Sequence, residues 1–361
     1  MSVGVRLAAV AVFVVAAAPS CRDDCAEPVY GETMLEPEWV LVRPGSFEMG
    51  SPFAADDAFP PMSVTITRPF WIQTSEVSKA ETRTVAEAQL QMTGTSALPE
   101  VPPGGLIPTE SQEAKTVLTV GADTTWTSAP SDLTFVFAVA HANSRSQLEG
   151  YEICYPLDTC RPPLPGYYVR DWYFHGCAVD AVLNADPDCS GYRLPTEAEW
   201  EWAARASGRS DCQQPGACMN REAVTSGTRG QEAPRVDDSR YTYIGSQCPN
   251  ELGLYDMIGN AAEWTSDVRQ AQQPYFYDSP VVDPVRPIPD YVIDEYYALS
   301  PIDGRPEVPA DYRAWRPHPI VRGGSSAVRS SQLAPYYAET GHDSASHGWR
   351  LVRTAFELME E

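Results

Sequence analysis

Residues 250–264 read NELGLYDMIGNAAEW, a stretch that combines turn glycines, apolar residues and carboxylates more densely than any other part of the chain. Gly253 and Gly259 can adopt backbone angles that other residues resist, so they predict a tight, non-repeating backbone path. Asp256 and Glu263 stand among apolar residues, where a carboxylate needs a partner. A hard cation with oxygen ligands is one such partner, and an arginine or backbone N–H groups are the other.

The composition allows a large core and excludes some partners. Of the 361 residues 43% are hydrophobic, and the formal net charge is −23. Such a negative charge argues against nucleic acid and anionic membrane surfaces as partners.

The N-terminus has the pattern of a targeting segment. Arg6 precedes an apolar run over residues 7–18 that is short for a membrane span, which predicts an export signal over residues 1–20. The sequence Ala18-Pro19-Ser20-Cys21 loosely resembles a bacterial lipobox, so lipidation of Cys21 and ordinary signal cleavage stay open as alternatives. A lipid on Cys21 is the one membrane attachment expected. We predict a flexible leader over residues 21–37 and a domain over residues 38–355.

The nine cysteines fit an oxidising compartment. If Cys21 carries a lipid, eight cysteines remain for up to four disulfides. Short spacings favour three local pairs, and the fourth pair is what is left over: Cys154/Cys160, Cys177/Cys189, Cys212/Cys218 and Cys25/Cys248. A structural zinc site is not expected, because the sequence contains no CxxC pair.

Local patterns predict an α+β domain with few helices, short strands and much irregular structure. Capping boxes begin helices at residues 79 and 197, and a further helix is predicted over residues 134–146. Strand patterns cover residues 39–43 and 46–49, which the turn signal at residues 44–45 joins as a hairpin. Further strands are predicted at residues 64–67, 70–72 and 348–353.

These pieces together resemble the formylglycine-generating-enzyme (sulfatase-modifying factor) domain family. The resembling motifs are residues 42–51 (VRPGSFEMGS), 69–77 (PFWIQTSEV), 191–205 (GYRLPTEAEWEWAAR), 250–264, 321–325 (VRGGS) and 348–353 (GWRLVR). The resemblance implies a single domain with a C-type-lectin-like architecture over nearly all of the mature chain.

The resemblance also implies calcium. The carried-over ligands are the side chains of Asp256 and Glu263 and the carbonyl oxygens of Gly259 and Ala261, an all-oxygen set of the kind calcium prefers. A second family site would use Asn220, the Arg221 carbonyl and a carboxylate at Asp237 or Asp238.

The family's enzyme chemistry transfers less readily. The aerobic enzyme binds copper(I) through two cysteines after the Gly-Gly-Ser motif, whereas Val328 and Leu333 stand at those positions here. Copper is therefore not expected, and no catalytic residue is assigned. Ser325, His342 and His347 are candidates for lining a ligand pocket.

Two functions follow from the resemblance. The first is an exported, non-catalytic domain at the cell envelope or outside the cell that binds a protein, peptide or glycan. The second is a protein-modifying oxidoreductase of the formylglycine-generating type with other catalytic residues.

Overall fold

The computed structural model describes residues 38–50, 61–93, 133, 135–155, 188–207, 223–224, 244–245, 249–270, 280–285, 317–324, 338–340 and 347–359. These residues form three α-helices: Lys79–Thr93 (α1), Phe135–Glu149 (α2) and Glu197–Ala204 (α3). The strands of the described part are Trp39–Val42 (β1), Gly45–Met49 (β2), Met62–Ile66 (β3), Phe70–Gln73 (β4), Ala223–Val224 (β5), Ile258–Gly259 (β6), Glu263–Gln270 (β7), Val281–Val282 (β8), Pro317–Arg322 (β9), Ala338–Thr340 (β10) and Val352–Thr354 (β11). A single 3₁₀ turn, Phe356–Leu358, follows β11.

The strands form small sheets rather than one large sheet. Three of the sheets have three strands each, in the orders β1-β4-β11, β10-β9-β7 and β2-β3-β8, and β5 pairs with β6. Helices and short strands together confirm the predicted α+β class. None of the described helices is long and apolar enough to span a membrane.

The helices begin where their capping residues predict. The Thr196 hydroxyl accepts the Glu199 N–H at 3.1 Å, and the Glu199 carboxylate accepts the Thr196 N–H at 2.8 Å. At α1 the Ser78 hydroxyl accepts the Glu81 N–H at 3.0 Å, but the Glu81 carboxylate is bound to Gln73 and Arg145. The α1 cap therefore shows only the serine half of the predicted box.

The predicted hairpin of the first two strands is wrong. β1 pairs with β4 and β2 pairs with β3, so the two strands belong to different sheets. The Trp202 indole fills the bend between them: its Nε1 donates to the Arg43 carbonyl at 3.0 Å, and a Cβ on Gly45 would lie 2.5 Å from its ring. A buried side chain from α3, rather than a tight turn, decides the path of the chain here.

The predicted pairs Cys154/Cys160 and Cys177/Cys189 are also wrong, because Cys154 is bonded to Cys189 across a separation of 35 residues. The two cysteines meet because the segment before α3 packs against the end of α2. The Tyr192 N–H donates to the Ser146 hydroxyl at 2.8 Å, and the Ser190 hydroxyl donates to the Glu152 carboxylate at 3.2 Å. Cys25, Cys160, Cys177, Cys212, Cys218 and Cys248 lie outside the described residues.

Gly191 is the tightest point of this packing. A Cβ there would lie 1.9 Å from the Glu152 carbonyl oxygen and 2.8 Å from the Ser146 hydroxyl oxygen. We expect Gly191→Ala to lower the free energy of unfolding by about 2–3 kcal/mol, because backbone must move to make room. Guanidinium unfolding followed by circular dichroism measures the change.

Gly150→Ala is the matched control. Gly150 has a φ of +81° but no heavy atom within 4 Å of the added Cβ, so only backbone strain opposes the substitution. The expected cost is about 1 kcal/mol. Equal losses in the free energy of unfolding for the two variants would contradict the claim that close packing requires a glycine at position 191.

The core has two apolar clusters. One lies between α1, α2 and the segments that carry Trp264 and Trp349, and the other packs α3 with Trp200 against the β1 and β2 sheets. The three family motifs that carry Trp200, Trp264 and Trp349 are thus core-forming segments.

Candidate functional site: two buried arginine clusters

The stretch at residues 250–264 follows the irregular path that its glycines predict. Gly253 and Gly259 have φ angles of 86° and 94°, and Asp256 and Asn260 also have positive φ angles, of 55° and 54°. Asp and Asn tolerate this left-handed region better than other non-glycine residues. These backbone turns direct the Asp256 and Asn260 side chains inward, where both residues are buried.

Arg350 is the partner that the structure provides for Glu263. Its Nε lies 3.0 and 2.8 Å from the two Glu263 carboxylate oxygens, and its Nη2 lies 2.6 Å from Oε1. Trp200 Nε1 donates to Glu263 Oε2 at 2.7 Å. The remaining Arg350 donors bind the carbonyl oxygens of Gln73, Thr74 and Tyr255.

Glu76, from the loop between β4 and α1, lies at the same place. Its carboxylate accepts the Asn260 side-chain amide at 2.6 Å and the Ala261 N–H at 2.9 Å. Burial raises the pKa of Glu76 well above its usual range, and the charges of Asp256 and Glu263 raise it further. Glu76 is therefore held in place by hydrogen bonds, and the charge of Arg350 only partly offsets the effect of burial on its pKa.

Asp256 is only partly satisfied. Its Oδ2 accepts the Gly245 N–H at 2.6 Å, whereas its buried Oδ1 has no hydrogen-bond partner within the described part of the chain. Burial raises the pKa of Asp256 to about 6, although the Gly245 N–H and Arg350 act in the opposite direction. We call Glu76, Asp256, Glu263 and Arg350 the Arg350 cluster.

A second group, the Arg322 cluster, joins the end of β9 to α3 and consists of Glu197, Glu201, Arg205 and Arg322. Arg322 donates to the Glu197 and Glu201 carboxylates at 2.8 and 2.5 Å. Arg205 donates to the other Glu201 oxygen at 2.6 Å and to the Gly50 carbonyl at 2.8 Å. The Arg322 guanidinium also lies over the Trp200 ring, 5.3 Å from its centroid, so Trp200 touches both clusters.

The predicted site residues fall into two groups. Asp256, Gly259, Ala261 and Glu263 lie together in one stretch, and His347 packs edge-on against Trp264 with 4.6 Å between ring centroids. The other predicted positions lie outside the described residues, so their roles stay predictions: Asn220, Arg221, Asp237, Asp238, Ser325, Val328, Leu333 and His342.

Two members of the Arg350 cluster were not predicted. Glu76 and Arg350 both stand in segments singled out as motifs, PFWIQTSEV and GWRLVR, in which charged residues stand close to apolar ones. That pattern indicates a buried charge but does not say which opposite charge it meets. Separations of 184 and 87 residues to their partners put those contacts beyond local sequence reasoning.

The calcium ligands implied by the resemblance fit this geometry unequally. An ionised carboxylate has about four lone-pair sites, and Glu263 receives four donor contacts from Arg350 and Trp200. Among the described residues Asp256 Oδ1 has no hydrogen-bond partner, whereas both Glu263 oxygens accept donors from Arg350 and Trp200; the calcium ligand set stays a prediction. Within the described ranges, no group of three or more His, Cys, Asp or Glu side chains is arranged to hold a metal.

Comparison with known proteins decides the family. The chain matches the family described as the sulfatase-modifying factor enzyme 1-like domain over residues 26–355. It belongs to this family.

Sequence similarity to individual relatives covers only part of each chain. The chain is 29% identical over 143 residues to the chaperone protein LppX of Paenibacillus barcinonensis, which covers 37% of this chain and 49% of that one. It is 36% identical over 97 residues to the formylglycine-generating enzyme of Mycobacterium tuberculosis, covering 24% of this chain and 30% of the enzyme. The matches therefore span half or less of these relatives.

Similarity in fold is broader. The solved structure of Treponema denticola variable protein 1 matches with a TM-score of 0.53 and 20% identity, covering 87% of this chain and 94% of that one. At this identity the match shows a shared fold, which confirms the architecture predicted from the motifs.

His141 is a buried titratable group on α2 that belongs to neither arginine cluster. Its Nδ1 accepts the Trp349 indole N–H at 3.4 Å, while its Nε2 has no hydrogen-bond partner among the residues described. Burial, assisted by the charge of Arg145, lowers the pKa of His141 to about 3. The imidazole is therefore neutral at physiological pH.

This histidine should make the stability fall in acid. Because the folded pKa of about 3 lies below the unfolded value near 6.5, the unfolded state binds more protons between these two pH values. The contribution to stability is present above about pH 6.5 and is lost as the pH falls, by about 1.4 kcal/mol per pH unit. We expect wild type to lose about 2 kcal/mol more than His141→Leu between pH 7 and pH 5.

Denaturant unfolding of both proteins at the two pH values measures the His141 effect. The other titrating groups are present in both proteins, so their contributions cancel in the difference. Parallel losses in wild type and variant would show that His141 is not buried neutral.

Proposed function

We propose that this chain is an exported, non-catalytic member of the sulfatase-modifying factor family that binds a protein partner at the cell envelope. One observation carries the proposal: Val328 and Leu333 stand where the resemblance places the copper-binding cysteines, and no cysteine follows Cys248. Neither valine nor leucine can bind copper(I) or take part in thiol redox chemistry.

The charged residues of the family motifs form ion pairs within the chain, which supports a structural rather than a catalytic role for these motifs. Arg322, Arg350 and Arg193 are each buried and paired with glutamates of the same chain. Charged side chains that are buried and paired with internal partners hold segments together and are not available to a substrate. The charged residues of these family motifs are in this way explained by folding.

Export is supported by the N-terminal pattern and by the disulfide. The Cys154–Cys189 bond joins two buried positions, and stable disulfides are typical of proteins in oxidising compartments. Together with the apolar run over residues 7–18 this favours the cell envelope or the extracellular space. Lipidation of Cys21 and plain signal cleavage stay open as alternatives.

A protein is the partner that the comparisons favour. One relative, at 29% identity over 143 residues, is called a chaperone protein. Proteins of that class act by binding other polypeptides, so this likeness favours a protein or peptide over a glycan. The net charge of −23 makes nucleic acid an unsuitable partner.

A copper-loading assay tests the part of the proposal that says the chain is non-catalytic. The purified chain is loaded with copper(I), mixed with a cysteine-containing sulfatase peptide, and oxygen consumption and peptide oxidation are followed. We expect no turnover above buffer, whereas a formylglycine-generating enzyme assayed in parallel turns over. The double variant Val328→Cys/Leu333→Cys tests whether copper uptake returns once two thiols are restored.

Turnover by the wild-type chain would support the second function, a protein-modifying oxidoreductase with other catalytic residues. The observation in favour of that function is that this chain is 36% identical over 97 residues to a formylglycine-generating enzyme.

A refolding assay with a denatured enzyme tests the part of the proposal that says the chain binds a protein partner. A guanidinium-denatured exported enzyme is diluted into buffer with and without the purified chain, and aggregation and recovered activity are measured. We expect less aggregation and higher recovery at stoichiometric concentration. The same yields with this chain and with an equal mass of serum albumin would overturn the protein-partner proposal.

A further inference from the structure

Tyr151, just after α2, is a large aromatic residue that the fold leaves at the surface. It is 36% exposed, and the Arg353 guanidinium lies over its ring, 4.8 Å from the centroid. Arg353 in turn donates to the Glu357 carboxylate at 3.4 Å, and the same Glu357 oxygen accepts the Trp71 indole N–H at 2.8 Å. These contacts join three segments that are distant in the sequence into one surface region.

Two exposed apolar side chains extend this region. Leu358 and Met359 follow Glu357 directly and are 40% and 48% exposed. The 3₁₀ turn holds their backbone, because the Leu358 N–H donates to the Ala355 carbonyl and the Met359 N–H donates to the Phe356 carbonyl, both at 3.0 Å. Of the five exposed large hydrophobic side chains in the described part of the chain, three therefore belong to this one region.

We call this region the Tyr151 patch, and its members are Trp71, Tyr151, Arg353, Glu357, Leu358 and Met359. Exposed apolar side chains that are scattered singly are normal, whereas a group of them with polar residues at its edge marks an interaction site. Aromatic residues, methionine and arginine are also the residue types enriched in protein interfaces. The composition of the patch is therefore that of a surface which a partner covers.

The surroundings of the patch are acidic. Its guanidinium, on Arg353, is already paired with Glu357, whose side chain remains 48% exposed. Glu152, the residue after Tyr151, is also exposed, and two further glutamates follow Met359 in the sequence. The whole chain carries a formal net charge of −23. Complementary charge therefore favours a basic partner at this surface.

The same charge disfavours two other occupants of the patch. A second copy of this chain would bring two strongly negative molecules together, and an anionic membrane surface would repel the chain. A basic polypeptide has the charge that neither of these occupants offers.

We propose that the Tyr151 patch is the docking surface for a basic, amphipathic polypeptide segment. The apolar side chains of the segment cover Tyr151, Leu358 and Met359, and its lysines or arginines lie next to Glu357 and Glu152. An amphipathic segment that places its apolar face on an apolar surface is a common mode of peptide recognition. This inference rests on the protein-partner role proposed above and names the surface and the kind of segment that it fits.

Binding of a synthetic peptide to the purified chain tests the proposal. The probe is a fluorescently labelled helical peptide with leucine on one face and lysine on the other, and fluorescence anisotropy measures its Kd. We expect binding that weakens as the salt concentration is raised from about 0.05 M to about 0.5 M, because salt screens charges at a surface. A peptide with glutamate in place of lysine should bind at least about tenfold more weakly.

Single substitutions locate the binding surface. Tyr151→Ser, Leu358→Ser and Met359→Ser should each weaken binding of the lysine peptide about three- to tenfold, because each removes apolar area that the peptide covers. The three side chains are exposed, so the variants should fold. Met92→Ser is the matched control for Met359→Ser, since Met92 is 56% exposed at the end of α1 and should leave the Kd unchanged.

Three results of the peptide assay would overturn the proposal. They are no binding of the lysine peptide to wild type, equal binding of the lysine and glutamate peptides, and the same Kd for Met359→Ser and Met92→Ser.

Sedimentation velocity tests the second copy as the occupant of the patch. We expect a monomer for wild type and for Leu358→Ser. A wild-type dimer that Leu358→Ser abolishes would show that the patch binds another copy of the chain, and would refute the proposal.

The refolding assay described above separates this surface from the proposed function. If the lysine peptide binds at the patch but wild type does not improve refolding, the proposed function fails and the docking surface stands. If wild type and Leu358→Ser improve refolding equally, the proposed function stands and the patch is not the surface that serves it.

Discussion

Arg350→Met is expected to lower the free energy of unfolding by about 3–5 kcal/mol, because it leaves the buried Glu263 carboxylate without its charged partner. Glu263 is 1% exposed and receives three of its four donor contacts from Arg350. The methionine also removes the donors to the Gln73, Thr74 and Tyr255 carbonyl oxygens. Denaturant unfolding in the absence of divalent ions measures the loss.

Arg353→Met provides the control from the same segment. Arg353 pairs with Glu357 at 3.4 Å, and the two side chains are 18% and 48% exposed. Exposed pairs of this kind contribute about 0–1 kcal/mol, so the control should stay close to wild type. The double variant Glu263→Gln/Arg350→Met should recover part of the loss, because no ionised Glu263 is then left unpaired.

A loss for Arg350→Met as small as that for Arg353→Met would mean that Glu263 is reached by water or is neutral. In that case the buried Arg350–Glu263 pair would not contribute to the stability of the fold.

Arg322→Met is the second variant for which we expect a loss of about 3–5 kcal/mol. Arg322 is 0% exposed and binds Glu197 and Glu201 of α3. Arg205 still pairs with Glu201 in the variant, so the guanidinium contact that is lost outright is the one to Glu197. The loss of the guanidinium over the Trp200 ring adds to the effect.

Arg322→Lys separates charge from geometry in this second cluster. A lysine keeps the positive charge but cannot bind two carboxylates through a planar fork, so we expect an intermediate loss. Arg83→Met is the control on α1, since Arg83 and Glu87 are 32% and 46% exposed. If Arg322→Met and Arg83→Met unfold at the same denaturant concentration, the ion pairs of Arg322 with the α3 glutamates do not contribute to the stability of the fold.

Local sequence signals predicted the helices well. A capping box needs only two residues three positions apart, and both Ser78 and Thr196 accept the N–H of the glutamate three residues later. The αL turns at Gly253 and Gly259 were likewise predictable, because glycine is the residue that adopts them without strain.

Strand pairing and disulfide pairing were not predictable from local patterns. β1 and β2 are neighbours in sequence but lie in different sheets, because Trp202 occupies the bend between them. Cys154 has a closer cysteine at Cys160, yet it is bonded to Cys189, which the packing of Gly191 on Glu152 brings to the end of α2.

The candidate site was predictable in part. Burial of Asp256 and Glu263 among apolar residues raised the question of their partner, which could be a cation, an arginine or backbone N–H groups. The structure pairs Glu263 with Arg350 and Asp256 Oδ2 with the Gly245 N–H, and it brings Glu76 to the same place. Nothing in the spacing of residues 250–264 indicates either Glu76 or Arg350.

By itself the sequence determined the family, the helix starts and the absence of cysteines at Val328 and Leu333, because each of these depends on residue identity at short range. Only the tertiary structure decided how the cysteines pair in disulfides, how the strands pair in sheets and how the buried charges pair with one another. Those choices depend on packing between segments that are distant in the sequence, such as Cys154 and Cys189 at 35 residues or Glu76 and Ala261 at 185 residues, where burial and close contact select one partner from several that are chemically equivalent.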